Sequence, residues 1–339
     1  MFYFIKQILK KFKVIALFIQ RILLPVELFI LKKDFNSKIN IISESKFNKS
    51  VKWALSSIFF KGKKITTYRC FDRSFDFTEE VTKALVFSSN DRYKEFKSGD
   101  DPRLFKYRNK ILLYFQRPVK YKRGMDCEIC LYDPHLNKVY KINSPFKFNG
   151  KNWIPLSGLN SLIFIYSVYP LIILKVVNLN KGRMKVINKI EKDIKPSWNT
   201  KDIALSFVGS KRGGSPVVKV NNYTYLGIGH STEYFNSKFK FIGSSHKAYV
   251  YLFDFKKNNY YTNYLTSNQL GWLDCFGAEL INKGNKIRFD FSFSSNFTLH
   301  ILSNIYLFEV ELDKRKLIKI ARKGLKKKIN LIPNYKIIN

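Results

Sequence analysis

The sequence contains few acidic residues, cysteines and histidines for its length. Its 339 residues include 25 Asp and Glu against 61 Lys and Arg, with four Cys and four His. Four cysteines do not make a disulfide framework for a chain of this size, so a reducing compartment is favoured. The formal charge of +36 predicts attraction to a polyanion, which can be a nucleic acid, an anionic membrane or a phosphorylated sugar.

The cysteines do not favour a metal site. Cys127 and Cys130 have C-x-x-C spacing, but they lie in a strand-like run where residues three apart point to opposite faces. No second C-x-x-C pair completes a zinc-ligand set. We therefore predict neither a metal nor a cofactor.

Long apolar runs are also missing. In residues 1–33 the longest uncharged run is Val14–Gln20, far short of the ~20 residues that cross a bilayer. Across residues 1–33, Phe, Ile and Leu alternate with Lys and Arg. This pattern predicts an amphipathic basic helix that lies on an anionic membrane surface or packs on the rest of the chain. Because no small-residue cleavage site follows, we expect a cytoplasmic protein, peripheral at the inner face of the cell membrane.

Aromatic residues, by contrast, are abundant, with 31 Phe and 20 Tyr, and they favour strands. Five similar hairpin patterns begin near residues 48, 101, 152, 214 and 276. Their spacing of roughly 50–60 residues is typical of a four-stranded propeller blade. The sequence therefore predicts an all-β fold, a five-bladed β-propeller over residues 48–312.

Three segments fall outside this pattern. We interpret residues 34–47 as a linker or lead-in strand, and residues 79–85 as a helical insertion. Residues 313–339 are strongly basic and are expected to form a solvated tail or a second membrane contact.

The openings of four repeats resemble a known family. They are Asp100-Asp101-Pro102-Arg103, Lys151–Pro155 with Tyr166-Ser167, Arg212–Pro216 with Gly229–Ser231, and Phe276–Glu279. In this order they resemble the β-mannoside phosphorylases of glycoside hydrolase family 130 and their glycosyltransferase relatives. The resemblance covers roughly residues 48–312 and implies a five-bladed propeller whose active site lies in the central channel.

The resemblance also implies roles for individual residues. Asp101 matches the catalytic acid, which acts as a base when the reaction runs toward synthesis; Asp100 tunes it or binds a sugar hydroxyl, and which of the two is catalytic stays open. Arg103 orients the carboxylates or the sugar, and Arg212 and His230 offer donors to phosphate. The remaining substrate-binding candidates are Arg69, Asn152, Tyr166, Gly213 and Gly214.

The reaction type follows from the supply of carboxylates. Inverting hydrolysis needs a second carboxylate to activate water, and the repeat openings add only Glu279. We therefore predict a transferase or phosphorylase, and favour a glycosyltransferase that moves a sugar, mannose by resemblance, from a nucleotide sugar or sugar 1-phosphate to a glycan acceptor in surface polysaccharide synthesis. The alternatives are a β-mannoside phosphorylase and a non-enzymatic carbohydrate- or nucleic-acid-binding propeller, although no nucleic-acid motif is present and no nucleic-acid partner is expected.

Overall fold

A computed structural model describes residues 29–45, 50–72, 81–89, 92–121, 124–147, 149–150, 152–168, 170–188, 211–234, 244–266, 271–294 and 305–331. The predicted all-β class is confirmed, since strands dominate these residues. Residues 29–35 are helical (α1), and strand β1 follows at Ile39–Ser45. The rest of the predicted amphipathic helix lies outside the described residues. No helix in the described part is long and apolar enough to span a bilayer.

The strands form five antiparallel arrays, numbered here in chain order. Array 1 contains β2 (Ser50–Phe60), β3 (Lys63–Asp72), β4 (Val81–Ser89) and β5 (Arg92–Lys97). Array 2 contains β6 (Asp100–Tyr107), β7 (Lys110–Tyr121), β8 (Gly124–Asp133) and β9 (Lys138–Ile142). Array 3 contains β10 (Ile154–Pro155), β11 (Ile163–Val168), β12 (Leu171–Asn178) and β13 (Arg183–Val186).

Arrays 4 and 5 are joined in one ten-stranded sheet. Array 4 contains β14 (Lys211–Arg212), β15 (Val218–Lys219), β16 (Thr224–Tyr234), β17 (Ser244–Asp254) and β18 (Asn259–Tyr264). Array 5 contains β19 (Trp272–Ile281), β20 (Lys286–Ser294) and β21 (Ile305–Asp313). A single parallel bridge between His246 and Trp272 joins them. The early strand β1 pairs with β21, so residues predicted as a linker or lead-in strand complete the last array as its fourth strand.

Each array contacts the next, and the last array contacts the first. Arrays 1 and 2 meet where the Leu104 N–H donates to Ser56 Oγ at 3.0 Å. Arrays 2 and 3 meet where the Gly158 N–H donates to the Lys106 carbonyl at 2.7 Å. Arrays 3 and 4 meet at the Leu156–Val217 bridge, arrays 4 and 5 at the His246–Trp272 bridge, and arrays 5 and 1 where the Phe59 N–H donates to Glu279 Oε2 at 2.9 Å.

The core is divided among these junctions. A separate cluster of buried apolar side chains packs between arrays 1 and 2, between 2 and 3, between 3 and 4, and between 4 and 5. The cluster between arrays 5 and 1 is small, with Val51, Trp53, Ala54, Phe276 and Ile305 at its centre. Polar side chains therefore carry more of the contact between the first and last arrays.

Asp290 lies at the centre of that polar contact. Its side chain is buried and accepts hydrogen bonds from the Ser57 N–H at 2.5 Å and the Ser57 hydroxyl at 3.0 Å. Burial raises the pKa of Asp290 to about 7, the Glu309 carboxylate contributes to the increase, and Arg288 opposes it. The first and last arrays are thus held together by a carboxyl group that is protonated below neutral pH.

We predict that this group makes stability decrease as pH rises from about 4 to 7. Because the folded pKa lies above the ordinary value of 3.8, the folded protein binds a proton that the unfolded chain releases in this interval. The difference corresponds to on the order of 4 kcal/mol. The test is thermal unfolding at pH 5 and pH 8. The Tm of Asp290→Asn should fall less from pH 5 to pH 8 than the Tm of wild type does. An equal fall in both proteins would contradict the assignment.

Two segments differ from their sequence-based predictions. Residues 79–85 were predicted as a helical insertion, but Val81 to Leu85 belong to β4, because Leu85, Val86 and Phe87 are buried in succession between two neighbouring strands. Part of the predicted basic tail is folded as helix α2 (Lys314–Arg322) and strand β22 (Leu325–Lys328). Leu317 and Ala321 are buried on one face of α2, which a solvated tail would not explain.

Candidate active site

Three arrays share a positive φ angle within or just before their first strand. Ala54, Asp101 and Asn152 have positive φ angles of 56°, 46° and 66°. In β2 and β6 the pairing register shifts there, between Trp53 and Ser56 and between Asp100 and Arg103. Such a bulge redirects a side chain, and among residues other than Gly, Asp and Asn adopt this conformation most readily. Array 2 places a carboxylate at this position, Asp101.

The Arg103 side chain connects Asp101 to arrays 3 and 4. It is 0% exposed, and its three nitrogens donate to different acceptors. Nε donates to the Gly214 carbonyl, Nη1 donates to the Asp101 carbonyl at 2.8 Å, and Nη2 donates to Asn152 Oδ1 at 3.2 Å. A buried guanidinium with acceptors on three segments fixes those segments relative to one another.

Aromatic rings flank the same guanidinium. The carbon at its centre is 5.4 Å from the ring centroid of Tyr114 in array 2 and 5.5 Å from that of Phe276 in array 5. These distances are within the range of cation–π attraction. Residues of arrays 2, 3, 4 and 5 therefore converge on Arg103.

Array 1 joins this centre through Arg69. Arg69 Nη1 is 2.6 Å from Asp100 Oδ1, and the same oxygen accepts the Asp101 N–H at 2.9 Å. Asp100 is 9% exposed, whereas Asp101 is of intermediate exposure. The two neighbouring carboxylates are thus in different surroundings, since Asp100 forms a shielded ion pair and Asp101 is the more open to solvent.

Gln116 was not among the sequence-based candidates, although it contacts two of them. Its Nε2 donates to Asp101 Oδ2 at 2.8 Å, and its Oε1 accepts the Asn152 N–H at 3.2 Å. The side chain is 0% exposed. Gln116 directly follows the apolar run Ile111–Phe115 in β7, which continues to Tyr121. A polar residue continuing an apolar strand was the signal that could have identified it.

We predict that Gln116→Glu lowers kcat/KM and moves the rate-controlling limb of the pH–rate profile to higher pH. The substitution removes the donor to Asp101 Oδ2 and places a second carboxylate beside it, and neighbouring like charges favour protonation of the pair. Gln116→Met is the matched control, because it removes the donor without adding charge and should move the limb in the same direction but less far. A profile for Gln116→Glu that overlays wild type would contradict this role.

The phosphate candidates lie on β14, β16 and the intervening turn. Arg212 pairs with His230 across these strands; only the backbone of Arg212 is described. A Cβ added at Gly213 would be 2.0 Å from the Asn152 carbonyl oxygen, and one at Gly214 would be 2.1 Å from the Ile228 carbonyl oxygen. Both glycines are thus required for the close approach of this turn to the segments beside it.

His230 belongs to a buried group of side chains that was not predicted from the sequence. Asp274 Oδ1 is 3.1 Å from His230 Nδ1 and 2.7 Å from His246 Nδ1. The two imidazole rings stack with centroids 4.4 Å apart, and His246 stacks on Trp272 at 4.7 Å. Because His246 and Asp274 are far apart in sequence and belong to different arrays, no local motif connects them.

This group offers three ligand atoms within 4.8 Å of one another, so it could be considered for a metal ion. The ring planes of His230 and His246 are only 13° apart. His246 Nδ1 is hydrogen-bonded to Asp274 Oδ1, and His230 Nδ1 lies 3.1 Å from the same oxygen. The contacts between the imidazoles and the carboxylate account for the arrangement without a metal ion.

Tyr166 is placed differently from the other candidates. It is 3% exposed, and its ring packs against Trp153 and Phe146, with centroids 5.5 Å and 5.1 Å away. Burial also raises its pKa. These contacts place the ring in the apolar cluster between arrays 2 and 3.

The fold that surrounds this centre is shared with carbohydrate-active enzymes of known structure. A scan against family models gave no match, and a search of curated proteins gave no significant match. Comparison with solved structures instead confirms the resemblance seen in the sequence, to family 130 mannoside phosphorylases and related mannosyltransferases. With identities near 10%, this likeness establishes the fold alone.

Three solved structures illustrate it. MPT-1, a GDP-mannose-dependent mannosyltransferase from Leishmania mexicana, has a TM-score of 0.53 at 12% identity, over 90% of this chain and 98% of its own. A second structure represents family 130 of mannoside phosphorylases, a family described as containing glycoside hydrolases that target β-1,2-mannosidic linkages in Candida mannan. It has a TM-score of 0.51 at 10% identity, over 88% of this chain and 96% of its own. MPT-4, a mannose phosphorylase from Leishmania mexicana in complex with phosphate, has a TM-score of 0.50 at 12% identity, over 88% and 95%.

Proposed function

We propose that the five arrays are the blades of a five-bladed β-propeller and that the residues around Arg103 form a glycosyltransferase active site. The cycle of contacts from array 1 to array 5 and back supports the propeller, because each array touches two neighbours. The convergence of the arrays on Arg103 supports a central site. Ligand sites lined by several structural units are typical of such concave centres.

The observation that carries the proposal is the position of Asp101. It occupies a positive-φ bulge, its Oδ2 accepts from the buried Gln116 amide, and it is more exposed than Asp100. We assign Asp101 as the group that exchanges a proton with the bridging or acceptor oxygen. Asp100, which pairs with Arg69, is assigned the role of positioning Asp101. Asn152 is assigned the role of hydrogen-bonding a sugar hydroxyl.

The donor is proposed to be a sugar activated by phosphate, as a nucleotide sugar or a sugar 1-phosphate. Arg212 and His230 are opposite one another in the backbone register of β14 and β16, and the Gly213-Gly214 turn brings backbone close to Asn152. A guanidinium and an imidazole are suited to phosphate oxygens. Mannose as the sugar is proposed from the structural neighbours and the sequence resemblance. Surface polysaccharide synthesis as the process is proposed from the formal charge of +36 and the apolar, basic residues 1–33.

Transfer is preferred over hydrolysis because of how the nearby carboxylates are used. Among the described residues, Asp100 pairs with Arg69, Asp274 contacts two histidines, and Glu279 is paired with Arg288 at 2.8 Å. An inverting hydrolase needs a carboxylate that is available to activate water. Transfer from a phosphate-activated donor needs one carboxylate, which takes the proton of the acceptor hydroxyl, because the phosphate leaves without being protonated. A phosphorylase also needs one, which protonates the leaving oxygen while phosphate attacks the sugar.

The test is a donor panel. Purified protein is incubated with nucleotide sugars or sugar 1-phosphates and with manno-oligosaccharide acceptors, and the release of nucleotide or phosphate is measured together with product mass. Acceptor-dependent release of nucleotide supports the transferase. Turnover with sugar 1-phosphates only would assign a phosphorylase at the same site, and glycan or RNA binding without any turnover would replace the enzyme by a binding module.

A further inference from the structure

Residues 314–328 carry the densest positive charge in the described part of the chain. Nine of these fifteen residues are Lys or Arg, and none is Asp or Glu. The segment comprises α2, a short turn and β22. Its charge is therefore displayed on folded secondary structure.

Specific contacts hold this segment on array 4. Asp313 caps α2 by accepting the Lys316 N–H at 2.7 Å, and Leu317 and Ala321 pack into the cluster between arrays 4 and 5. β22 pairs with β18, with Lys328 opposite Asn259. Because the apolar face of α2 is directed inward, its cations are directed to solvent. The exposed ones are Arg315, Lys316, Lys319, Arg322, Lys323, Lys326 and Lys328; we call these seven residues the α2–β22 basic face.

The surroundings add little negative charge to this face. Asp313 is the helix cap, and Asp254, 3.9 Å from Arg322, also accepts the Lys257 N–H. The adjacent turn between β17 and β18 adds two more exposed lysines, Lys256 and Lys257. Exposed apolar side chains lie among the cations, since Leu325 is 51% exposed and Tyr264, on the neighbouring β18, is 41% exposed.

We propose that the α2–β22 basic face docks on an anionic lipid bilayer. Clustered Lys and Arg attract anionic headgroups with about 1 kcal/mol each, and an exposed Leu and Tyr suit the apolar and interfacial layers beneath them. Base stacking on aromatic platforms, the usual feature of single-strand nucleic-acid binders, is less well matched by one Tyr and one Leu.

The position of the face leaves the candidate active site accessible. It lies on β22 and α2, beyond β18, whereas the segment that contacts Arg103 lies between β14 and β15, on the other side of array 4. Membrane contact would therefore hold the enzyme beside a membrane-associated acceptor or donor without covering the centre. The inference does not depend on the reaction catalysed.

The test is co-sedimentation with vesicles of phosphatidylcholine alone and with vesicles that also contain phosphatidylserine. Wild type should bind the second and not the first, more weakly at high salt. Lys316, Lys319, Lys323 and Lys326 together changed to Gln should weaken binding at least about tenfold. The matched control changes Lys61, Lys97, Lys138 and Lys181, exposed lysines on arrays 1 to 3, to Gln and should stay within about twofold.

Thermal unfolding of both variants checks that they fold. If neither vesicle binds wild type, or if the two quadruple variants lose binding equally, the proposal is overturned. It is also overturned if the α2–β22 variant binds vesicles as wild type does, because another part of the chain would then carry the contact. Binding of a homopolymer RNA in preference to anionic vesicles would assign the face to nucleic acid instead.

Discussion

Asp101→Asn is expected to reduce kcat/KM for the activated sugar donor by about 10²–10⁴-fold, the range typical of losing a general acid or base. Asn preserves the shape of the side chain and can occupy the positive-φ bulge. It removes only the ability to exchange a proton with the reacting oxygen. Because Arg103 contacts the backbone carbonyl of Asp101, the surrounding contacts remain, and the Tm should stay close to that of wild type.

The matched control for this experiment is Asp313→Asn. Asp313 caps α2, and Asn caps helices about as well as Asp, so activity and stability should both be retained. Asp100→Asn is informative as well, because a positioning role predicts a smaller loss than at Asp101. If Asp100→Asn were inactive while Asp101→Asn retained full activity, the two roles would be reversed.

Arg103→Met is expected to lower the free energy of unfolding by about 3–5 kcal/mol. Met matches much of the volume but donates no hydrogen bonds, so the Gly214 and Asp101 carbonyls and Asn152 Oδ1 lose their donor in a buried site. Denaturant unfolding measures the difference. Arg103→Lys should be an incomplete rescue, because an ammonium cannot reach three acceptors in the guanidinium geometry.

The matched control is Arg108→Met. Arg108 is on the following turn, and its exposed side chain donates to the Asn160 carbonyl at 3.2 Å. Loss of this side chain should lower the free energy of unfolding by less than about 1 kcal/mol, as is usual for surface positions. Equal effects of the two substitutions would show that Arg103 does not hold the arrays together.

The all-β class could be predicted because it depends on repeating local patterns. Hairpins of apolar and aromatic residues separated by turns specify antiparallel strands. The incorrect predictions concern segments whose secondary structure is determined by tertiary contacts. Residues 81–85 have helix-forming neighbours but are strands because β3 and β5 flank them, and α2 is ordered because Leu317 and Ala321 find a core.

The residues of the candidate site also divide into those that local patterns predict and those that only tertiary contacts reveal. Asp101, Arg103 and Asn152 could be found because each lies at the start of a repeat, and the structure brings them together. Gln116 and Asp274 could not, because their importance depends on partners 15 to 44 residues away, as the Gln116–Asp101 and Asp274–His230 contacts show. Tyr166 lies on β11, the second strand of array 3, and its ring packs in the core, which the sequence pattern alone does not distinguish.

The most direct test of the proposed site is an experimental structure with an unreactive analogue of the sugar donor and a glycan acceptor. We predict that the reacting oxygen lies about 3 Å from an Asp101 carboxylate oxygen, with Asn152 on a sugar hydroxyl and the phosphate beside Arg212 and His230. A sugar bound at the centre with Asp101 directed away from the glycosidic bond, or bound outside the centre altogether, would contradict the assignment.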